Sequence, residues 1–227
     1  MESSLPIAVE VDKVIRARRT EKVLSAKPLP ISTIDSVIDD LLEAARWAPF
    51  HRVCDEQYRT ASSQGIEPWR VHILDAIACR RLAPELTQSN AGKIPAMLNS
   101  ADALLIFNWL PSPSTTHPDQ SAQNDSGEEP NFAPTLINME HIAAASAAIQ
   151  NLLIAATARG ISNYWSSGGV LRSKEVYARL NIPRSEILLG ALFLFPSEYG
   201  EAELAISKLR DQRTPSKHWS RRVELDL

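Results

Sequence analysis

The stretch Asn138–Gly160, NMEHIAAASAAIQNLLIAATARG, constrains this chain most. It is rich in alanine, holds no proline, and carries Ile142, Ile149, Leu152, Leu153 and Ile154 at helical spacings. Arg159 followed by Gly160 is a stop signal: a cation in the last turn, then a residue that tolerates a left-handed backbone. Such a helix is about 33 Å long, nearly the width of a small domain. Small residues fill the sides that larger apolar ones leave open, which predicts a helix buried nearly all round. Its length also approaches that of a membrane span. Glu140, His141, Gln150, Asn151 and Arg159 argue against that placement. The expectation is a core helix packed on a sheet and on its own copy in a second subunit.

With 227 residues, 44% hydrophobic and 22% charged, the chain can bury a sizeable core. A net charge of −3 gives no general attraction for nucleic acid. Charge is unevenly spread. Segment 111–137 holds Asp119, Asp125, Glu128 and Glu129 and no Lys or Arg, and reads as a long lid loop. Both ends are basic: Arg16, Arg18, Arg19 and Lys22, then Lys208, Arg210, Arg213, Lys217, Arg221 and Arg222. Cys54 and Cys79 have neither metal nor redox spacing. The opening residues do not read as a signal peptide, so the expectation is a cytoplasmic protein with no membrane partner.

In chain order, helices are expected over 8–20 and, capped by Ser32 or Thr33, from Asp35 to Ala48. Segment 50–67 is polar and unpatterned. A strand over 70–74 precedes helices over 76–88 and 95–100. Ala103–Trp109 (ALLIFNW) and Ile187–Phe195 (ILLGALFLF) read as strands, the second buried on both faces. A short helix spans 173–180, and another is expected around 201–210. This irregular interleaving predicts an α+β sandwich.

No HExxH, zinc cluster, GxSxG, P-loop or GxGxxG is present. What remains is subtler. Arg18, Arg19 and the Thr20 hydroxyl cluster where a helix gives way to a loop, a donor set that suits phosphate. Taken alone, a solvated cationic helix end explains them more economically. Arg213, before Pro215, can close such a site from the far terminus or be a surface arginine. Ser166, Ser167, Gly168 and Gly169 follow Tyr164-Trp165, and the glycines let backbone N–H groups approach a ligand or simply turn the chain. Trp47 to His51 and Glu67 to Trp69 flank the polar stretch as pocket lining or as core.

The order of these features resembles the FMN-dependent nitroreductase family across some 200 residues. The matching pieces are Arg18-Arg19-Thr20-Glu21-Lys22, Ala48-Pro49, Glu67-Pro68-Trp69, Ala147-Ala148-Ile149-Gln150-Asn151-Leu152-Leu153 through Gly160-Ile161, Leu180-Asn181-Ile182-Pro183, and Arg213 near Pro215. The resemblance implies a nitroreductase-like sandwich: a central mixed or antiparallel sheet flanked by helices, with the long helix at a homodimer interface. It implies one domain over 1–227, with the C-terminal tail 211–227 extending toward the partner subunit. It implies FMN at the subunit interface, reduced by NADH or NADPH in a ping-pong cycle that passes hydride to a nitroaromatic, quinone or similar small acceptor. Arg18, Thr20 and Arg213, with Arg19, would hold the phosphate, and Lys22 would sit near N1/O2 of the ring. Ser166, Ser167 and Gly168 would face N5/O4, and Pro49, Phe50 and His51 would border the ring from the partner. No catalytic acid or base and no metal is implied. Phe50 where the family has Ser, Glu67 where it has Gln, and the insertion between Pro49 and Pro68 leave two alternatives: a specialised flavin-modifying or reductive-dehalogenase-type relative, and a flavin-free assembly protein that keeps the dimer.

Overall fold

The computed structural model describes residues 5–31, 34–61, 63–87, 90–113 and 132–225. Most of the expected lid, 114–131, and the expected caps Ser32 and Thr33 lie outside the described residues.

The two continuous apolar runs become the two inner strands of a four-stranded sheet. Strand β3 (Ala103–Trp109) and strand β5 (Ile187–Phe195) pair side by side, with β2 (Trp69–Asp75) outside β3 and β4 (Ser162–Ser166) outside β5. Every pairing in it is antiparallel. Inner strands covered on both faces need no polar side, which is why they read as unbroken hydrophobic runs.

One face packs on α2 (Asp35–Arg46) and α5 (Leu136–Ala158) through Leu105, Phe107, Leu192 and Leu194. The other face, with Leu104, Ile106, Phe193 and Phe195, is covered by α3 (Ala76–Leu86), α4 (Ile94–Leu98) and α6 (Lys174–Arg179). Register shifts between Phe107 and Asn108, a β-bulge opposite Leu188–Gly190. The bulge turns Leu188 and Ala191 to the same face although they are three residues apart.

Helix α5 lies where the sequence places it, but it is not buried all round. Asn138, His141, Ala144, Ala145, Ala148, Ile149, Leu152, Leu153 and Ala156 form one buried stripe, at the spacing of a single helix face. Leu136, Met139, Ala143 and Gln150 face outward. Its end is a Schellman turn: Gly160 (φ +72°) donates to Thr157 O, and Ile161 N donates to Ala156 O, both at 3.0 Å. At its start, Asn138 pins both stems of the acidic loop, accepting from Ser112 N at 2.8 Å and donating to Ala133 O at 2.9 Å.

Helix α1 (Leu5–Ala17) starts three residues earlier than expected. The helix expected around 201–210 is absent. Residues Glu203–Ile206 are instead strand β6, paired antiparallel with β1 (Glu21–Leu24) from Glu21↔Ile206 to Leu24↔Glu203. Only a short 3-10 turn, Lys208–Gln212, follows. A cross-chain ladder here overrides local propensity. The polar stretch 50–67 is largely irregular, as expected, yet Cys54 and Tyr58 are buried with Leu110 in a small core of their own.

Candidate functional site

The β1–β6 ribbon brings the two basic ends of the chain together. Ser207 N donates to Thr20 O at 3.4 Å as the ladder's last rung. Beyond it the 3-10 turn carries Arg210 to the end of α1 and delivers Arg213 at its C-cap. Arg213 lies close enough to Arg18 for its charge to act there: the Arg18 guanidinium is held below its usual pKa, first by burial and then by Arg213. The buried Nε of Arg18 has no hydrogen-bond partner among the described residues. Arg213 likewise has no carboxylate partner among the described residues. Two like charges and an orphaned donor, assembled from opposite ends of the chain, make a site short of one anion.

The neighbouring residues sort themselves. Arg19 is committed elsewhere, its Nε 2.7 Å from Glu21 Oε1. Thr20 is half-buried beside the ladder. Lys22 places its Nζ 4.6 Å from the ring centre of Tyr164 on β4, a cation–π contact that joins the ribbon to the strand leading into the glycine turn.

That turn is rigid. Gly168 adopts φ +103°, and a Cβ on it would stand 2.3 Å from Leu188 Cδ2. Gly169 is also left-handed at φ +52°. Ser166 is buried, and its Oγ accepts the Gly168 N–H at 3.2 Å. The Gly168 amide is therefore engaged within the turn, and Ser167 is the exposed residue of the pair. Arg172 Nε donates to Ser167 O at 2.6 Å and fixes the turn from below.

Pro49, Phe50 and His51 are not brought to this place. Phe50 packs edge-on against Trp69, ring centres 5.8 Å apart, in the core on the α2–α5 face of the sheet. Val23, next to Lys22, belongs to the core on the other face. Within one chain the two halves of the expected pocket are separated by the sheet.

A polar network behind the turn has no counterpart in the sequence reading. Glu186 is buried, with its Oε2 2.7 Å from His72 Nε2 and accepting from Asn108 Nδ2 at 2.9 Å. Tyr177 OH donates to Asn108 Oδ1 at 3.2 Å. Burial, helped by the nearby Glu186 charge, pushes Tyr177 up to about 12. One signal was available: Asn108 interrupts an otherwise apolar strand, and a buried amide demands partners. Arg210 was also missed as an individual. Its guanidinium donates to the carbonyls of Arg16, Ala17 and Arg18, yet in sequence it is one cation among many.

The donor set, clustered guanidiniums and a hydroxyl, fits a phosphate group. The model of the Nitroreductase family matches residues 15–194. The Bacillus subtilis (strain 168) protein YfhC, provisionally named an NAD(P)H nitroreductase, is 27% identical over 183 residues, covering 76% of this chain and 77% of that protein. The crystal structure of a nitroreductase-like family protein from Bacillus cereus superposes with a TM-score of 0.60 at 19% identity, over 94% of this chain and 96% of that one. A provisionally named nitroreductase from Desulfovibrio desulfuricans, solved in complex with FMN, gives 0.54 at 17% identity over 95% and 98%. The α+β sandwich, the long helix and a match that spans the Arg18 cluster and the glycine turn together show that this chain belongs to the nitroreductase family.

Proposed function

We propose that the protein is an FMN-dependent NAD(P)H oxidoreductase whose acceptor is a nitroaromatic, a quinone or a similar small molecule. Membership of the nitroreductase family supports an oxidoreductase. The observation that carries the cofactor is the pairing of Arg18 with Arg213, two cations held together with no carboxylate between them among the described residues. Arg18, Thr20 and Arg213 would hold the phosphate, with Arg19 at the rim because Glu21 already engages it. Lys22 would lie along the ring, where a cation favours the reduced, anionic flavin. Ser166 and Gly168 shape the turn that presents Ser167, and Arg172 holds it still.

FMN, held by Arg18, Thr20 and Arg213, would supply the chemistry of hydride transfer between NADH or NADPH and the acceptor. No side chain of the chain need act as acid or base. The protein's share is to neutralise the phosphate, orient the ring and exclude water.

The reading includes a homodimer, with the whole chain acting as one domain and the tail from 211 reaching toward the partner. Outward-facing Leu136 and Met139 on α5, together with Ile7, Val11 and Ile15 on α1, leave an apolar surface of the kind a second copy covers. Pro49, Phe50 and His51 would then reach the flavin only from that copy.

An absorbance spectrum of purified protein tests the proposal directly. Flavin bands at roughly 450 nm, bleached by NADH or NADPH without oxygen, are the expected result. Colourless protein that takes up no added FMN overturns it.

A further inference from the structure

Arg210 makes contacts unlike those of any other basic residue in the tail. Its Nη1 donates to Ala17 O at 3.3 Å and to Arg18 O at 3.2 Å, and its Nη2 donates to Arg16 O. These carbonyls belong to the last turn of α1 and its continuation, where Arg18 N still donates to Val14 O at 2.9 Å. Helix ends leave such oxygens without intrahelical donors and carry partial negative charge. A planar guanidinium with several N–H groups in a fixed fork is the side chain best suited to gather them.

The carbonyl of Arg18 is one of the three. The residue whose guanidinium heads the anion site is thus held through its own backbone by Arg210. Three residues further on, the same turn ends at Arg213, the second cation of the site. Ser207 caps the turn, its Oγ accepting from Leu209 N at 3.4 Å. A five-residue element thus performs two tasks, clamping the end of α1 with one arginine and delivering the other.

The electrostatics give such a clamp a use. Arg18 and Arg213 repel each other, and Arg18 is already disfavoured by burial. Holding the end of α1 opposes the separation that this repulsion favours. Arg210 spends its own charge on the carbonyl oxygens, so it adds hydrogen bonds without taking the place of an anion.

We infer that Arg210 is a positioning residue that preorganises Arg18 and Arg213 for a phosphate monoester, and so sets the preference for FMN over riboflavin. This rests on the flavin reading of the site given above. It assigns Arg210 no contact with the cofactor.

The test is equilibrium binding of FMN and of riboflavin, by fluorescence quenching, to flavin-free protein. The two ligands share the ring and differ in the phosphate. Wild type should favour FMN by at least about tenfold. Arg210→Ala should weaken FMN by about tenfold while leaving riboflavin unchanged. Arg210→Lys, which keeps the charge but not the fork, should fall between. An equal loss for both ligands would show a general structural role and overturn the inference, as would an unchanged FMN-to-riboflavin ratio. Should Arg210→Ala not fold, Arg210→Lys decides alone: a loss confined to FMN supports positioning, and an unaltered ratio overturns it. Wild-type protein that binds neither flavin, or both alike, would instead refute the phosphate site itself.

Discussion

Arg18 and Arg213, from opposite ends of the chain, stand close enough that the charge of one depresses the pKa of the other. Proteins seldom assemble two cations, one of them with a buried, unpartnered guanidinium nitrogen, without a counter-ion in view. The arrangement is poor for the empty protein and good for an anion. Flavin-free protein should therefore melt higher in inorganic phosphate than in chloride of matched ionic strength, and Arg213→Ala should remove most of that gain. Arg18→Met, which keeps the apolar stem, should melt no lower than wild type in chloride, because it relieves the repulsion. Differential scanning fluorimetry reads both. A phosphate gain that survives both variants would place the anion elsewhere.

The glycine turn gives a sharper expectation. Gly168→Ala meets two obstacles, a left-handed φ of +103° and a Cβ 2.3 Å from Leu188 Cδ2. Each is worth about 1–3 kcal/mol, so the variant should lose at least about 2 kcal/mol in urea denaturation. In a Leu188→Ala background, itself destabilised by the cavity it opens, Gly168→Ala should cost less but not nothing, because the contact is cleared and the backbone stays strained. No cost in that background would mean that φ was never the constraint.

The Glu186 network should behave as a unit. Glu186→Ala strands His72 and Asn108 together, and Asn108 is fully buried. Removing one partner of a buried polar cluster costs about 3 kcal/mol, less here because His72 is partly exposed to solvent. Glu186→Gln loses the charge but can keep an amide oxygen where Oε2 takes both bonds, and should lose less than half as much. A double-mutant cycle with Asn108→Ala should show coupling, and additive losses would refute a shared network.

How far the sequence speaks differs from element to element. ALLIFNW and ILLGALFLF coincide with β3 and β5 to the residue, because inner strands covered on both faces are apolar almost throughout, with Asn108 the exception. EKVL and ELAI are four-residue strands of a two-stranded ribbon, with no alternation to betray them. Their pairing spans nearly the whole chain, beyond the reach of any local window. The anion site shows the same division. Arg18 and Thr20 read as a phosphate donor set, and Arg213 as a residue that can close it, from their chemistry alone, but only the family resemblance favours that reading over solvated basic ends. Arg210 and the His72–Glu186–Asn108–Tyr177 set are contacts between distant elements, and among them Asn108 alone, polar within an apolar strand, is unusual where it stands in sequence. Phe50 carries an expectation that one chain cannot meet, because the sheet stands between it and Lys22.

The insertion after Pro49 looks unstructured in sequence and is organised around Arg70. Its Nη2 donates to Tyr58 O and Gly65 O, both at 2.9 Å, and its Nη1 to Glu67 O at 3.0 Å. Arg70→Ala should free the loop while the sheet stays folded, because these bonds lie outside the strand ladder. Limited trypsin digestion should then cut at Arg52 or Arg59 far faster than in wild type, with far-UV circular dichroism unchanged. Equal digestion rates would mean that the loop is anchored without Arg70.

Alkaline stability follows from two buried phenols. Tyr58 is pushed up to about 12 by burial, with Asp55 and Glu186 adding to the shift, and Tyr177 reaches about 12 for the same leading reason. Both hydroxyls donate in the fold: Tyr58 OH to Pro111 O at 2.9 Å and to Ser185 O at 3.2 Å, Tyr177 OH to Asn108 Oδ1. The unfolded chain releases these protons near the ordinary phenol value of about 10, and the folded chain keeps them to higher pH. Over that interval the folded state binds more protons than the unfolded state, so stability falls as pH rises. The contribution is complete below about pH 10 and is lost by about pH 12. Cys79, buried and also raised to about 12, acts in the same direction from a slightly lower start. Urea midpoints measured from pH 8 to 11.5 should hold level and then drop. Tyr177→Phe should be less stable at pH 8, where it loses a hydrogen bond, and should lose less on going to pH 11.5, where unfolding the wild type releases the Tyr177 proton. Parallel curves for the two proteins would show that Tyr177 does not titrate between these limits.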